Sequence, residues 1–545
     1  MLSRRTENEP GDNAGANAFK WQETRRRPLA LITAAALLIS FGAAARSARL
    51  APRPSIHVHS PAADRLLFLI SGEDDGYLEP CGCSSPQIGG LPRRATVITG
   101  HPNAVTLDNG DWVDDVGREA ELKAGATAEF LGRMKYAACN LGEHDYALGY
   151  PLLSLYQQRY HLPLLATNMI TPDGKSAFEP VIRIERSGRR IAIYGAMSPS
   201  FADPITSVNP LLTVEDPAVA LQKAHVGSTA DLSILLYHGP SGEAAALVRR
   251  FPWVSLVVTA HDGDDPQSIP ASPGLPPMLS VGTRARFLGR TEDGGQATKD
   301  EVGRMKDESR APIILRPAHR TYPPTPSRSG KGSATYPPAP SRSGKGSPTY
   351  PPTPSRSGKG SATYPPTPSR GGKGSRSSRL LLLPPLSLGP EFRDSPVARR
   401  ILTEYQDQVV AENLLAQVPR APLEGNWFAG SAACASCHIS AYQVWAKSGH
   451  SHAYAALIRA GHSRDPDCVG CHVVGLNSDG GFTSFDQTPQ FAEVGCETCH
   501  GPQGLHSIGK GPPPAHLSRE MCVTCHNPDQ SPHFNLNTYW PKVAH

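Results

Sequence analysis

Four segments near the carboxyl terminus decide how this chain folds: Cys434-Ala-Ser-Cys-His438, Cys468-Val-Gly-Cys-His472, Cys496-Glu-Thr-Cys-His500 and Cys522-Val-Thr-Cys-His526. A C-x-x-C pair alone is typical of a zinc site or a redox dithiol. Here a histidine follows every pair, which favours the attachment sequence of c-type haem. The two thiols bind the vinyl groups of one haem and the histidine reaches its iron, so the pattern predicts four covalently bound haems c. The attachment and proximal residues are Cys434, Cys437, His438, Cys468, Cys471, His472, Cys496, Cys499, His500, Cys522, Cys525 and His526.

The segment that carries these motifs, about residues 426–545, is short for a conventional hydrophobic core. We therefore expect a mostly helical cytochrome region in which packed haems replace the core, and which does not fold without them. The second axial ligand of each iron is open to alternatives. A histidine there gives a closed electron carrier, whereas an open position permits substrate binding at the iron. A surplus of further histidines favours mostly closed sites: His450, His452, His462, His506, His516, His533 and His545.

The residues around the motifs carry a family pattern. Tyr442, Trp445 and Ser448-Gly-His-Ser-His-Ala453 follow the first motif, and Gly495-Cys-Glu-Thr-Cys-His-Gly-Pro502 contains the third. Ser531-Pro-His-Phe534 then leads to Tyr539-Trp540. With these features residues 426–545 resemble the multihaem cytochrome c-552/c-554 family, which implies electron transfer with redox partner proteins. The resemblance also implies distal haem ligands at His452, His506 and His545, with His516 as a further candidate.

A different pattern occupies residues 64–295, which we call the first domain. Short apolar runs at 65–71, 104–108, 190–195, 232–237 and 254–259 alternate with helix-like and loop segments, which predicts an α/β domain. Acidic residues and histidines follow these runs, where open α/β sheets place ligands, and they suggest metal binding. The candidate metal ligands are Glu73, Asp75, Asp111, Glu143, His238 and His261, and His144 follows Glu143 directly.

The order of these residues resembles the 5′-nucleotidase branch of the calcineurin-like metallophosphoesterases, a sandwich of two sheets. That family holds two metal ions that activate a water and bind phosphoryl oxygens. Its Asp-x-His-Gly, Gly-Asn-His-Glu and Gly-His-x-His motifs here read Glu73-Asp74-Asp75-Gly76, Gly142-Glu143-His144-Asp145 and Ala260-His261-Asp262-Gly263. Glu73, Asp75, Asp111, Glu143, His238 and His261 can still bind one divalent ion, but Gly263 in place of the last histidine weakens a second site.

Two functions remain open for the first domain. If hydrolysis survives, the resemblance assigns His144 to protonating the leaving group of a small phosphate- or sulfur-containing anion, with electrons passing to the haems. Otherwise the domain binds a partner or an anion without turnover, and electron transfer is the function. Cys81 and Cys83 in Glu79-Pro-Cys-Gly-Cys83 have three interpretations: soft metal ligands, a reactive thiol pair or a tight disulfide.

The remaining segments organise the chain. Within residues 1–50, Arg25-Arg-Arg27 precedes an apolar run at 29–45, which predicts either a cleaved export signal or a membrane anchor, and an extracytoplasmic, periplasmic protein. Residues 321–379 repeat a Pro/Gly/Ser-rich unit and predict a disordered linker. A connecting helix is expected within 394–418, beginning at Ser395-Pro396. The net charge of only +5 does not suggest a nucleic-acid partner.

Overall fold

The computed structural model describes residues 65–80, 86–294, 380–514, 517–527, 530–531 and 533–545. The predicted signal or anchor in residues 1–50 and the repeat linker at 321–379 lie outside these ranges, as do Cys81, Cys83 and His516. Within the described ranges, no helix is both long and apolar enough to cross a membrane.

The first domain is built on two main sheets. Its strands are β1 (Leu67–Ser71), β2 (Val105–Asp108), β3 (Ala138–Cys139), β4 (Met169–Ile170), β5 (Ile182–Arg186), β6 (Arg189–Met197), β7 (Thr213–Val214), β8 (Leu232–His238), β9 (Leu256–Thr259), β10 (Ser268–Ile269), β11 (Met278–Ser280), β12 (Phe287–Asp293) and β13 (Leu380–Ser387). One sheet has the order β13-β12-β1-β2-β3, the other has the order β10-β11-β9-β8-β6-β5, and β4 and β7 form a small pair.

The two sheets pack face to face. Phe68 and Ile70 of β1 lie in one buried cluster with Ile193 of β6 and Leu236 of β8. Leu69, between them in sequence, points to the opposite face and packs in the cluster of the outer helices. This alternation is the two-residue period of a strand whose faces are both covered. The predicted α/β sandwich is confirmed, with helices outside each sheet.

The helices, in chain order, are α1 (Leu91–Gly100), α2 (Arg118–Arg133), α3 (Glu143–Ala147), α4 (Tyr150–Tyr160), α5 (Ala202–Val208), α6 (Pro217–His225), α7 (Ser241–Val248), α8 (Pro396–Ala411), α9 (Leu414–Gln417), α10 (Ser431–Ala435), α11 (Ile439–Ala446), α12 (Ala453–Ala460), α13 (Pro466–Val469), α14 (Cys496–His500), α15 (Gly504–Ser507), α16 (Arg519–Val523) and α17 (Leu536–Tyr539). Short helices in the second half connect turns and loops, as expected for a region organised around bound groups.

The first domain continues beyond residue 295. Strand β13 pairs antiparallel with β12, so the chain returns to the first sheet after the repeat linker. Helix α8 then packs its apolar face against the helices of that sheet, with Ile401, Tyr405 and Val409 buried. The expected connecting helix therefore exists and completes the first domain, where its apolar residues four apart form one buried stripe.

The cytochrome region has a small apolar core. Its single main cluster contains ten buried residues, among them Tyr454, Val473 and Phe482. Other large apolar side chains, such as Met521 and Trp540, remain exposed and line a cavity. A region of this length with so little apolar packing needs another source of stabilisation, which the predicted haems would supply.

Candidate functional sites

A cluster of potential metal ligands lies at the carboxyl ends of the central strands of the first domain. Asp111 follows β2, Glu143 begins α3 after β3, His238 ends β8 and His261 follows β9. Each offers a ligand atom, and these four atoms lie within 4.8 Å of one another. Strands β2 and β3 run parallel in one sheet and β8 and β9 run parallel in the other, so the carboxyl ends of each pair lie together and bring the four residues to one place.

The hydrogen bonds of His238 fix which nitrogen faces the cluster. Its Nδ1 lies 2.6 Å from the Asn109 carbonyl oxygen, which only accepts, so Nδ1 carries a proton and Nε2 faces inward. That Nε2 is 3.0 Å from a Glu143 oxygen and 3.2 Å from an Asp111 oxygen. Without a proton or a cation on Nε2 these contacts are between acceptors. The two carboxylates raise the pKa of His238 well above its ordinary value, against the opposite effect of its burial.

The second histidine completes the arrangement. His261 Nε2 lies 3.1 Å from His238 Nε2 and 3.2 Å from the other Glu143 oxygen. Two imidazoles and two carboxylates are a donor set typical of zinc, manganese or iron. A divalent ion would also supply the positive charge that the fully buried Asp111 requires. The residues therefore fit one metal ion, held by Asp111, Glu143, His238 and His261.

The backbone around the cluster is strained. Glu73, Asp75, Asp111 and His261 all have φ between 51° and 61°, in the left-handed region that residues with side chains rarely adopt. Such conformations cost on the order of 1–3 kcal/mol each and concentrate at functional sites. Gly142 is constrained in another way, because a Cβ there would lie 2.6 Å from Asp111 Cγ and from His238 Cε1. The cluster thus requires glycine at this position.

Two predicted ligands lie beside the cluster. Glu73 accepts the His261 backbone N–H through Oε1 at 2.8 Å, and its buried Oε2 has no partner among the described residues. Asp75 accepts the Arg284 backbone N–H at 3.3 Å, and burial together with the charge of Asp111 raises its pKa to about 8. Both carboxyl groups lie beside the proposed ion position, but neither belongs to the four residues whose ligand atoms lie within 4.8 Å of one another. This arrangement agrees with a weakened second metal position.

His144 lies at the open side of the cluster. Its Nδ1 is 3.2 Å from Asp111 Oδ2, and 41% of its side chain is exposed. The hydrogen bond with Asp111 is the main cause of a pKa raised to about 9. In its protonated form the ring can donate a proton to a bound molecule.

Three of the four attachment motifs line a cavity of about 840 Å³, which we call the haem cavity. Residues of the second, third and fourth motifs line it, including His472, His500 and His526. The first domain contributes residues 75–80 to its wall. The haem cavity therefore adjoins the loop that carries Asp75.

Three motif histidines face a second histidine. The ring centroids are 6.1 Å apart for His438 and His506, 6.1 Å for His450 and His526, and 5.8 Å for His500 and His545. An imidazole nitrogen binds a metal at about 2 Å, so two rings on opposite sides of one ion have centroids about 6 Å apart. The pairs fit the two axial ligands of haem iron. His545 Nδ1 donates to the Val543 carbonyl oxygen at 2.9 Å, which leaves its Nε2 for a metal.

The remaining motif histidine is also oriented. His472 Nδ1 donates to the Ala453 carbonyl oxygen at 2.6 Å, which leaves Nε2 as the ligand atom. The attachment cysteines are neighbours as well. Cys496 raises the pKa of Cys434, and Cys471 lowers the pKa of Cys525 to about 6, so these thiols are close enough to interact. The first motif thus lies beside the third and the second beside the fourth.

The structure differs from the sequence prediction at one distal ligand. His450, rather than His452, faces His526 and lines the haem cavity. His452 is exposed, and its Nδ1 lies near the Ser451 hydroxyl and the Ser448 carbonyl oxygen. A 3-10 helix over Gly449–His452 directs the two histidines differently. His506 and His545 occupy the predicted positions opposite motif histidines, and His516 lies outside the described residues.

The two halves meet through a partly buried polar cluster that sequence reasoning missed. We call it the interface cluster: Glu79, Glu119, Lys123 and Tyr405 of the first domain, with His462, Asp465 and Asp467 before the second motif. His462 Nε2 is 2.7 Å from Glu79 Oε1, and Lys123 forms ion pairs with Glu119 and Asp467. In the sequence, the only sign of this contact is that Asp465 and Asp467 lie just before a haem attachment motif.

These halves are similar to two different classes of protein, a metallophosphoesterase-like α/β domain and a c-type cytochrome. The first domain resembles the 5′-nucleotidase family with altered metal ligands, and the second half resembles the multihaem cytochrome c-552/c-554 family. Residues 433–501 match the family model of cytochrome c554 and c-prime. Cytochrome c-554 of Nitrosomonas europaea is 31% identical over 134 residues, covering 18% of this chain and 57% of that protein.

The first domain has its own relatives. The snake venom 5′-nucleotidase of Gloydius brevicauda is 26% identical over 223 residues, covering 38% of this chain and 37% of that protein. The chain thus spans between about a third and three fifths of these two curated relatives. Among solved structures, a 5′-nucleotidase precursor from Thermus thermophilus has a TM-score of 0.43 at 17% identity, covering 66% of this chain and 61% of that chain.

Proposed function

We propose that this protein is an exported tetrahaem c-type cytochrome that transfers electrons, with a first domain that holds one divalent metal ion. The observation that carries the proposal is the set of three histidine pairs, each with one ring from an attachment motif and a spacing that suits an iron between them. Two histidine ligands close an iron to substrate and favour electron transfer. The haem, when bound, supplies the redox centre.

The neighbouring cysteines support a continuous electron path. Cys471 lowers the pKa of Cys525 of the fourth motif, burial together with Cys522 and Cys525 raises that of Cys499 of the third, and Cys496 raises that of Cys434 of the first. We infer an order of second, fourth, third and first motif along the cytochrome region. The second motif lies at the first domain, so electrons would pass between this domain and a redox partner protein at the first motif.

Replacing histidines of the pairs tests the electron-transfer proposal. His506→Ala, His545→Ala and His450→Ala should each convert one low-spin haem to high spin in electron paramagnetic resonance, with an unchanged number of covalent haems by mass spectrometry. His533→Ala is the matched control, because His533 is not in any of the three pairs. Spectra that remain wholly low-spin in all three variants would contradict the proposed ligation.

A second candidate function is metal-dependent hydrolysis of a small phosphate- or sulfur-containing anion, coupled to the haems. The position of His144 beside Asp111 favours it, since a protonated ring next to the metal ligands can donate to a leaving group. Asp111, Glu143, His238 and His261 would hold the ion, which when bound polarises the anion and its attacking water. Loss of turnover in His144→Ala with retained metal content would support this function, whereas equal activity would remove His144 from it.

Export is part of the proposal. The basic residues and apolar run within residues 1–50 support transport across a membrane, and c-type cytochromes are typically extracytoplasmic. Periplasmic fractionation of the native protein tests this point. Recovery of haem-loaded protein from the cytoplasmic fraction would contradict it.

A further inference from the structure

The interface cluster brings two carboxyl groups close together. An oxygen of Glu119 and an oxygen of Asp465 lie within 4.8 Å of each other, and two carboxylates have no hydrogen to place between their oxygens. The Tyr405 hydroxyl lies 3.2 Å from Glu119 Oε1 and 3.5 Å from Asp465 Oδ2, and it can donate to only one of them. A proton on one of the two carboxyl groups would give the pair a second donor and reduce the repulsion between them.

Asp465 gives a second and independent sign of a missing partner. The residue is 7% exposed, and its Oδ1 is buried without a hydrogen-bond partner among the described residues. An unsatisfied carboxylate oxygen at this depth is costly, and a proton on Oδ1 or on the adjacent Glu119 reduces that cost. The ligand that this arrangement lacks is a proton.

A metal ion does not explain the cluster. Glu119, Asp465 and Asp467 each place an oxygen within 4.8 Å of the other two, which alone would suit a cation. Lys123 already supplies that cation, because its ammonium is 3.3 Å from Glu119 and bonds Asp467. His462, Asp465 and Cys468 also converge, but the Cys468 sulfur is used in haem attachment under the proposed function.

The charges that face the pair come from every element packed against it. Lys123 lies on the same helix as Glu119, Tyr405 on α8, and His462 and Asp467 on the segment before the second motif. His462 contacts Glu79, which also pairs with Arg399. Arg399 also pairs with Asp394, so the carboxyl groups Glu79, Glu119, Asp394, Asp465 and Asp467 outnumber the cationic groups Lys123, His462 and Arg399. This excess of carboxyl groups favours a proton on one of them.

The pair lies close to a haem attachment point. Asp465 is three residues before Cys468, its carboxylate lies within 4.8 Å of the Cys468 sulfur, and both residues line the haem cavity. We propose that Glu119 and Asp465 form a redox-linked proton site, which takes one proton from solvent when the haem attached at Cys468 and Cys471 accepts one electron from an external one-electron donor. This inference rests on the proposed attachment of haem at the second motif.

The direction of the linkage follows from charge. Burial, opposed by Lys123 and reinforced by Asp465, raises the pKa of Glu119 to about 8. An electron added to the nearby iron makes a protonated carboxyl group still more favourable. The midpoint potential of that haem should therefore fall as pH rises, over the range in which Glu119 releases its proton.

Redox potentiometry of the haem-loaded full chain tests the proposal, between about pH 6 and about pH 10. One haem of the wild type should show a pH-dependent potential, and Glu119→Gln should at least halve its slope. Redox-difference infrared spectroscopy should lose a carboxylic C=O band in the same variant. Glu129→Gln is the control, because Glu129 is on the same helix but pairs with Arg133.

The outcomes separate the failure of this inference from failure of the proposed function. If the second motif carries no haem by mass spectrometry, the proposed function fails there. If all haems are present and Glu119→Gln keeps the wild-type slope and band, the proton site is refuted. Tyr405→Phe provides a second variant that keeps every charge. It should retain the slope of the midpoint potential against pH but shift the pH at which the potential begins to fall. A slope of zero in both the wild type and Tyr405→Phe would also refute the proposal.

Discussion

Replacing Gly142 by alanine tests the proposed metal site most sharply. A Cβ at this position would lie 2.6 Å from both Asp111 Cγ and His238 Cε1, whereas ordinary carbon contacts are about 3.5 Å or longer. In Gly142→Ala the two ligands must therefore separate from the new methyl group by roughly 1 Å. Metal sites tolerate deviations of only about 0.2 Å in ligand distance.

The expected result is a loss of metal affinity of about 10–100-fold, the size seen when ligand orientation is disturbed. Affinity is measured by competition with a chromophoric chelator, together with metal content by mass spectrometry. Gly242→Ala is the control, because a Cβ there meets nothing within 4 Å. Wild-type affinity in Gly142→Ala, with circular dichroism and haem content unchanged, would refute the assignment of Asp111 and His238 to one ion.

Three further predictions follow from single contacts. In His450→Ala one haem should become high-spin in its absorption spectrum, while His452→Ala should keep the wild-type spectrum. The opposite pattern would show that His452, the ligand expected from the sequence, binds the iron. The pKa of Glu119 is raised to about 8 from 4.5, so between these pH values the folded chain keeps a proton that the unfolded chain loses. The free energy of unfolding should therefore decrease as pH rises through this interval, by at most about 1.4 kcal/mol per pH unit. Glu119→Gln should remove this decrease in thermal unfolding. Trp112→Phe should cost about 1–3 kcal/mol in denaturant unfolding, because the buried Asp108 loses the indole N–H bond of 3.0 Å, and an unchanged midpoint would show that this bond contributes nothing.

Much of the first domain was predictable because local signals agreed with the tertiary structure. The apolar runs predicted at 232–237 and 254–259 correspond to β8 and β9, and the polar residues after them do converge. Strand β13 was not predicted, since Pro384 and Pro385 argue against a strand. They are tolerated because β13 pairs only with β12, and its register shifts there.

The spacing of residues in the sequence predicts the motif histidines as haem ligands but does not predict the distal ligands. The motif histidines are fixed by their cysteines, but distal ligands come from distant parts of the chain. His450 and His452 are two residues apart, and only the turn at Gly449–His452 decides which one faces His526. The interface cluster was equally hidden, because it joins side chains from the two halves of the chain. From the sequence alone, a charged residue such as Glu119 cannot be told from an ordinary exposed position on a helix, because its partners lie far away along the chain.

The most direct test of the account is a complete inventory of bound groups in the haem-loaded protein. Intact mass spectrometry counts covalent haems, and elemental analysis of the same sample counts non-haem metal. We predict four haems and one additional divalent ion per chain, with the ion lost in His238→Ala and the haems retained. Fewer than four covalent haems, or a non-haem metal content unaffected by His238→Ala, would contradict a cytochrome joined to a single-metal domain.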